Sequence, residues 1–198
     1  HLGDDALDHT LRSCHIRPSD ASRPTYNACQ SGKSVRLPFS SSEHVSYFPF
    51  QLVHCDVWTS PIMSVSGCQY YLVIVDDYSH FIWTYPLRHK SDAADILIRF
   101  YAYVLMQFHL CIQCIQCDNG GEFLTSAVRD LFSGYGASFR LSCPHTSPQN
   151  RKAERLIRTT NDILRVLLIH AHLPPPIWVE ALHTATHNLN WRHSSAIN

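Results

Sequence analysis

The rhythm of apolar and polar positions changes several times along the chain, and each change predicts an element. Residues 51–57 form a short apolar-rich segment, which predicts a first strand ending near Asp56. Gly67 marks a turn. Two apolar, β-branched-rich runs follow, Tyr70–Val75 and Phe81–Leu87, separated by Asp76-Asp77-Tyr78-Ser79. Three such runs on short connections predict an antiparallel meander. The spacing then lengthens to three and four: Ala93, Ile96, Leu97, Phe100, Val104 and Phe108 predict a helix over Asp92–Phe108, with Ser91 as its N-cap. Cys111–Cys117 reads as a strand that delivers Asp118 at its end. Gly120-Gly121 lets the backbone turn into a helix of about Ser126–Tyr135, and Ser138–Ser142 reads as a fifth strand. After a proline-bounded loop, Gln149–His170 is a long helix. Pro174-Pro175-Pro176 ends it, and Ile177–Asn190 is the last helix. The order βββ-α-β-α-β-α-α is a mixed α/β pattern.

Composition narrows this picture. The length of 198 residues suits one domain of about 150 residues with an extra piece. Residues 1–49, polar and interrupted by Pro18, Pro24, Pro38 and a serine run, read as a small irregular module and linker; 50–198 read as the main domain. No apolar run approaches the length of about 20 needed to span a membrane, so no membrane partner is expected. The first residues carry no basic and apolar leader, so secretion is not expected. The eight cysteines form no regular framework, and reduced thiols are expected. Net formal charge is zero, which argues against a surface that is basic throughout. Residues 140–165 nevertheless hold six bases (Arg140, Arg151, Lys152, Arg155, Arg158, Arg165) against two acids, Glu154 and Asp162.

Asp56, Asp118 and Glu154, the last two separated by thirty-five residues, resemble the acidic triad of retroviral-type integrases. The phrases around them are similar to the integrase region of copia-type retrotransposon polyproteins. They are YYLVIVDDYS at 70–79, DNGGEF at 118–123, SCPHTSPQN at 142–150 and AER at 153–155, and the similarity runs over roughly residues 25 to 192. The resemblance implies a ribonuclease H-like fold: a five-stranded mixed sheet flanked by helices, with the first three strands antiparallel and the last two parallel. It also implies metal-dependent trimming of DNA 3′ ends and joining of those ends to target DNA. Element ends and target DNA would be the partners, the protein a homo-oligomer, and its place the nucleus after a cytoplasmic particle. Residues 1–49 resemble a zinc-binding module placed before such a core. Its ligands are degraded, with Tyr26 where the family has Cys beside Cys29, and Asp4 where it has His. His9, Cys14 and His15 are weak substitutes, so zinc is not expected.

The residues support that chemistry. Cleaving or joining a phosphodiester requires relief of charge at the attacking and leaving oxygens, which two divalent ions supply. Mg²⁺, or Mn²⁺ in its place, takes hard oxygen ligands and keeps several waters, so Asp56, Asp118 and Glu154 suffice as the metal-binding and catalytic set. On a helical wheel, Ala153, Leu156, Ile157, Thr160, Ile163, Leu164, Leu167 and Leu168 form one stripe. Glu154, Arg158, Asn161 and Arg165 fall together at the edge of the opposite face, so Glu154 can face a site while its helix packs. Taken singly, an aspartate after a strand is usually a turn residue and a glutamate in a first helical turn usually answers the dipole.

Arg151, Lys152, Arg155 and Arg158 are candidate phosphate contacts, and Gln149 and Asn150 can offer amides to a base or phosphate. The plain alternative for the bases is a solvated helix face. Arg151 departs from the Gly common in the family's Gln-Asn-Gly phrase. Asp76 and Asp77 are expected to serve a turn, Glu122 to cap a helix, and Cys111, Cys114 and Cys117 to be buried small residues. His145 is a further loop residue within reach of DNA. Two other functions stay open: a DNA-binding remnant that has lost catalysis, and a general nuclease of the same fold.

Overall fold

The computed structural model describes residues 12–14, 45–118, 123, 125–141 and 151–191. The chain divides into two compact units, His1–Glu43 and His44–Asn198. Within the first, the described residues 12–14 make one exposed helical turn ending at Cys14. The expectations for Asp4, His9, His15, Tyr26 and Cys29 lie outside the described residues.

The second unit is built around one sheet. Strand β1 is Val53–Thr59, β2 Tyr70–Asp76, β3 Ile82–Leu87, β4 Cys114–Cys117 and β5 Ser138–Leu141. Helix α1 is Asp92–Phe108, α2 Ser126–Gly134, α3 Arg151–His170 and α4 Trp178–Asn190, with a short 3-10 turn at Pro175–Ile177. The strand order is β3-β2-β1-β4-β5. β1, β2 and β3 pair antiparallel, while β4 joins β1 and β5 in parallel. This is the five-stranded mixed sheet of a ribonuclease H-like fold. The connection from β1 to β2 turns at Gly67, whose φ of 77° is costly for any residue with a Cβ.

Period-two alternation along β1 sorts its side chains between two cores. Val53 and Cys55 join Leu72, Ile74, Phe100 and Phe132 on the face covered by α1 and α2. Tyr71, Val73 and Val75 join Ile157, Leu164, Leu168 and Leu182 on the face covered by α3 and α4. With both faces covered, β2 is buried almost along its whole length and reads as a continuous apolar run. Each large side chain so removed from water contributes about 1.5–3 kcal/mol. Among the described residues, no helix is long and apolar enough to cross a membrane.

The structure shifts several expected boundaries. β1 starts two residues later than expected and continues through Thr59, because Val57, Trp58 and Thr59 keep pairing with Leu72, Tyr71 and Tyr70. Asp56 therefore sits within the strand, not at its end. Ser91 does not cap α1. Its backbone is already helical (φ −59°, ψ −24°) and its side chain makes no cap bond, while the His89 N–H donates to Asp92 Oδ2 at 2.9 Å. β4 is confined to its last four residues, and Cys111 is exposed where burial was expected; Cys114 and Cys117 are buried.

Candidate active site

Two of the three acids are brought together by strand register. His54 on β1 lies beside Gln116 on β4. Asp56 and Asp118 each stand two residues further along parallel neighbours, so both leave the sheet on the side away from Cys55 and Cys117. Adjacent strands lie about 4.8 Å apart, which fixes the scale of the separation. That side is the one covered by α3 and α4, where Trp58, two residues beyond Asp56, packs against Tyr71 and Trp178 with ring centroids 5.2 and 6.2 Å away.

The third acid arrives on α3. Ala153, Ile157, Thr160, Leu164 and Leu168 are buried at helical spacing, and Glu154, Arg158 and Arg165 are exposed. The helix is further fixed by the Tyr71 hydroxyl, which donates to Asn161 Oδ1 at 3.0 Å. Glu154 stands two turns before that contact, near enough for its charge to be felt at Asp56.

The electrostatics of Asp56 are perturbed. The Asp56 carboxyl is pushed up to about 7. Burial is the largest cause, followed by the charge of Asp118 and, more weakly, that of Glu154. The Val57 N–H, which donates to Asp56 Oδ1 at 2.8 Å, and the nearby Lys90 pull the other way. Asp56 thus feels the charges of both other acids. Among the described residues, no three His, Cys, Asp or Glu side chains converge closely enough to enclose an ion by themselves.

A second acidic pair lies beside them. Asp76 is a turn residue, as expected: its carboxylate accepts from the Phe50 N–H at 2.8 Å and from the Ser79 N–H and hydroxyl at 2.8 and 2.7 Å. Asp77 does more than turn the chain. It accepts from Ser46 Oγ at 2.7 Å, His54 Nε2 at 3.1 Å and Lys152 Nζ at 2.6 Å. Burial pushes its carboxyl up, but these hydrogen bonds and the Lys152 charge outweigh burial and hold it well below the usual carboxylate range. Lys152, grouped with the DNA-facing bases on sequence grounds, thus places its ammonium on Asp77. Sequence reasoning did not find this network; its signal is His54, a polar residue inside an apolar strand at Asp56's own alternation.

Arg155 and Arg158 are exposed and, among the described residues, form no ion pair, whereas Arg165 pairs with Asp162 at 2.7 Å. Gln149, Asn150, Glu122, His145, Gly120 and Gly121 lie outside the described residues, as does the side chain of Arg151.

Comparison with known proteins identifies the family. Residues 47–147 match the model of the integrase core domain. That range holds Asp56 and Asp118 and stops short of Glu154. The chain is 37% identical over 162 residues to the retrovirus-related Pol polyprotein from transposon RE2 of Arabidopsis thaliana, and 36% identical over 162 residues to that from transposon RE1 of the same plant. It is 31% identical over 163 residues to the polyprotein from transposon TNT 1-94 of Nicotiana tabacum. Each match takes in 82% of this chain, but only 11, 11 and 12% of the respective polyprotein. Among solved structures it is similar in fold to a chain of the simian T-cell lymphotropic virus intasome in complex with PP2A regulatory subunit B56 gamma. The TM-score is 0.61 and identity 16%, covering 76% of this chain and 51% of the other. By its sequence over half its length, and by the sheet that carries its acids, the chain belongs to the integrase core domain family.

Proposed function

We propose that this chain is the catalytic core of a copia-type retrotransposon integrase, which trims the 3′ ends of element DNA and joins them to target DNA. The observation that carries this reading is the parallel register of β1 and β4 in a chain of the integrase core family, which supports Asp56 and Asp118 as neighbours; the Asp56 carboxyl is pushed up to about 7 by burial, then by the charges of Asp118 and Glu154. Burial and the charges of Asp118 and Glu154 hinder the ionisation of Asp56, and the three carboxylates offer hard oxygen donors of the kind that divalent ions such as Mg²⁺ or Mn²⁺ take. Such ions are commonly held by one or two carboxylates each, with waters and substrate phosphates completing the shell, so a closed protein cage is not required. Asp56, Asp118 and Glu154 would hold two of them, and when bound they stabilise charge on the attacking and leaving oxygens of an in-line displacement.

The remaining residues bind and orient. Arg155 and Arg158 project from the helix that carries Glu154 and would hold DNA phosphates beside the acids, with Gln149, Asn150 and Arg151 extending that surface at the start of the helix. Action on element ends and target DNA would be nuclear, following a cytoplasmic particle, and would proceed in a homo-oligomer so that two DNA ends are joined together. Residues 1–49, with a degraded ligand set, would contribute no zinc site.

The test is strand transfer on terminal DNA duplexes with Mg²⁺ or Mn²⁺. Asp118→Asn should lower turnover by at least about a hundredfold, the scale of losing metal-borne charge stabilisation. DNA affinity should stay within about twofold. Unchanged turnover would place the site elsewhere. DNA binding without any turnover would mark a binding module that has lost catalysis, and cleavage of RNA–DNA hybrids without joining would mark a nuclease.

A further inference from the structure

We infer that Asp77 and Lys152 form a positioning clamp that sets Glu154 against Asp56, and that Lys152 serves the active site from inside rather than by touching DNA. This inference rests on the reading of Asp56, Asp118 and Glu154 as the metal-binding set.

Asp77 is itself well anchored. Its N–H donates to the Leu52 carbonyl at 2.9 Å, just before β1 begins, and Ser46 Oγ holds its Oδ2 at 2.7 Å. The remaining oxygen, Oδ1, accepts from His54 Nε2 at 3.1 Å and Lys152 Nζ at 2.6 Å. Lys152 Nζ also donates to the Asp77 carbonyl at 2.8 Å, so the ammonium grips both the side chain and the main chain of the same residue. His54 stands two residues before Asp56 on one strand, and Lys152 stands two residues before Glu154 on one helix. A single carboxylate oxygen therefore ties together the two segments that carry two of the three acids.

The helix needs such a tie at this end. Along α3 the large buried side chains come late, at Ile157, Leu164 and Leu168. In the first turn the one fully buried side chain among the described residues is Ala153, a single methyl. Apolar packing alone leaves the turn that bears Glu154 weakly held against rotation and fraying. The Lys152–Asp77 pair supplies the missing restraint, and with side-chain exposures of 31 and 14% it is partly sheltered from water and salt. Burial of the pair also argues against a DNA role: freeing the ammonium for a phosphate would leave Asp77 with a half-buried charge and one donor fewer.

The experiment uses the full chain with Mn²⁺ alone as the metal probe. Free Mn²⁺ is followed by electron paramagnetic resonance, and strand transfer is measured separately at saturating DNA. Lys152→Met and Asp77→Asn should each weaken Mn²⁺ binding about tenfold and slow strand transfer by a similar factor, as loss of groups that orient metal ligands does. DNA affinity should stay within about twofold. Lys152→Arg, which keeps the charge and reach, should recover most of both. If Asp77→Asn does not fold, Lys152→Met and its Arg rescue decide alone, since the Lys152 side chain is partly exposed. A lower melting temperature with Mn²⁺ affinity and turnover intact would reduce the pair to ordinary stability and overturn the clamp. Weaker DNA binding with normal turnover at saturation would make Lys152 a phosphate contact and overturn it as well. Asp118→Asn is the control. If it abolishes Mn²⁺ binding while the clamp variants behave as wild type, only the clamp falls. If it changes nothing, the reading of the three acids falls and takes the clamp with it.

Discussion

Asp56 shows how much one side chain can report about a site. A carboxyl raised from 3.8 to about 7 holds its proton more tightly in the folded chain than in the unfolded one. Between those two values the folded chain carries the extra proton. The metal-free protein should therefore lose stability as pH rises from about 4 to about 7, and level off above that. The loss is on the order of a few kcal/mol for a shift of this size. Asp77 works in a different window: its carboxyl lies below the usual range, so its contribution is present above that range and is lost as pH falls through its lowered midpoint. Urea unfolding midpoints of metal-free protein at pH 4, 5.5 and 7 should fall along the series, and Asp56→Asn should flatten the trend. A midpoint that rises steadily to pH 7 in the wild type, with no change of trend in Asp56→Asn, would mean that the Asp56 carboxyl is not raised by burial and its acidic neighbours. Sequence spacing grouped these acids, but it could not show that the Asp56 carboxyl is raised, because that depends first on burial. Asp56 lies inside β1, where the Val57 amide is its near polar partner, whereas Glu154 is exposed.

Helix α3 carries two kinds of charge, and its periodicity separates them. The wheel drawn from sequence placed Ala153, Ile157, Leu164 and Leu168 inward and Glu154, Arg158, Asn161 and Arg165 outward, and the structure keeps that division except at Asn161, which is half-buried and accepts from the Tyr71 hydroxyl. Lys152 escaped it, since a long side chain at the start of a helix can bend back to a partner that no periodicity encodes. Its partner Asp77 is seventy-five residues away in sequence. The same limit explains Ser91 and β1. A capping serine and a strand end are local guesses, while the observed boundaries follow from the Asp92 bond to His89 and from pairing with β2. What remains outward on α3 should behave as a DNA surface. Arg155→Ala and Arg158→Ala should each weaken DNA binding, and each should flatten the slope of log affinity against log salt by about one unit at most. Binding isotherms across a salt series check this. A variant that weakens binding at every salt concentration with no change of slope would not have lost a phosphate contact.

The whole molecule divides into two compact units, His1–Glu43 and His44–Asn198. Both cores are drawn from the larger unit alone, among the described residues: one face of the sheet from Phe50 to Phe139, the other from Trp58 to Leu189. The earliest described side chain bonded into the sheet is Ser46, on Asp77. The apolar-rich segments that begin at residue 51 led the sequence reading to a main domain from residue 50, because strands and helices must bury an apolar face and leave a periodic trace. Residues 1–43 leave no such trace, only turn-forming and polar residues with an incomplete ligand set, so their fold was not legible. A chain cut to residues 44–198 keeps both cores, the Asp77 network and all three acids. It should unfold cooperatively, with a urea midpoint within about 0.3 M of the full chain, given that midpoint tracks stability and the slope tracks the surface exposed. Adding zinc to the full chain should leave its midpoint unchanged, because a metal stabilises only a fold that offers it a complete ligand set. A large loss of midpoint on truncation would show that the first unit covers part of the second. A zinc-dependent rise in the full chain that the shorter chain lacks would assign the missing ligands to residues 1–43, with His9, Cys14 and His15 the first to replace.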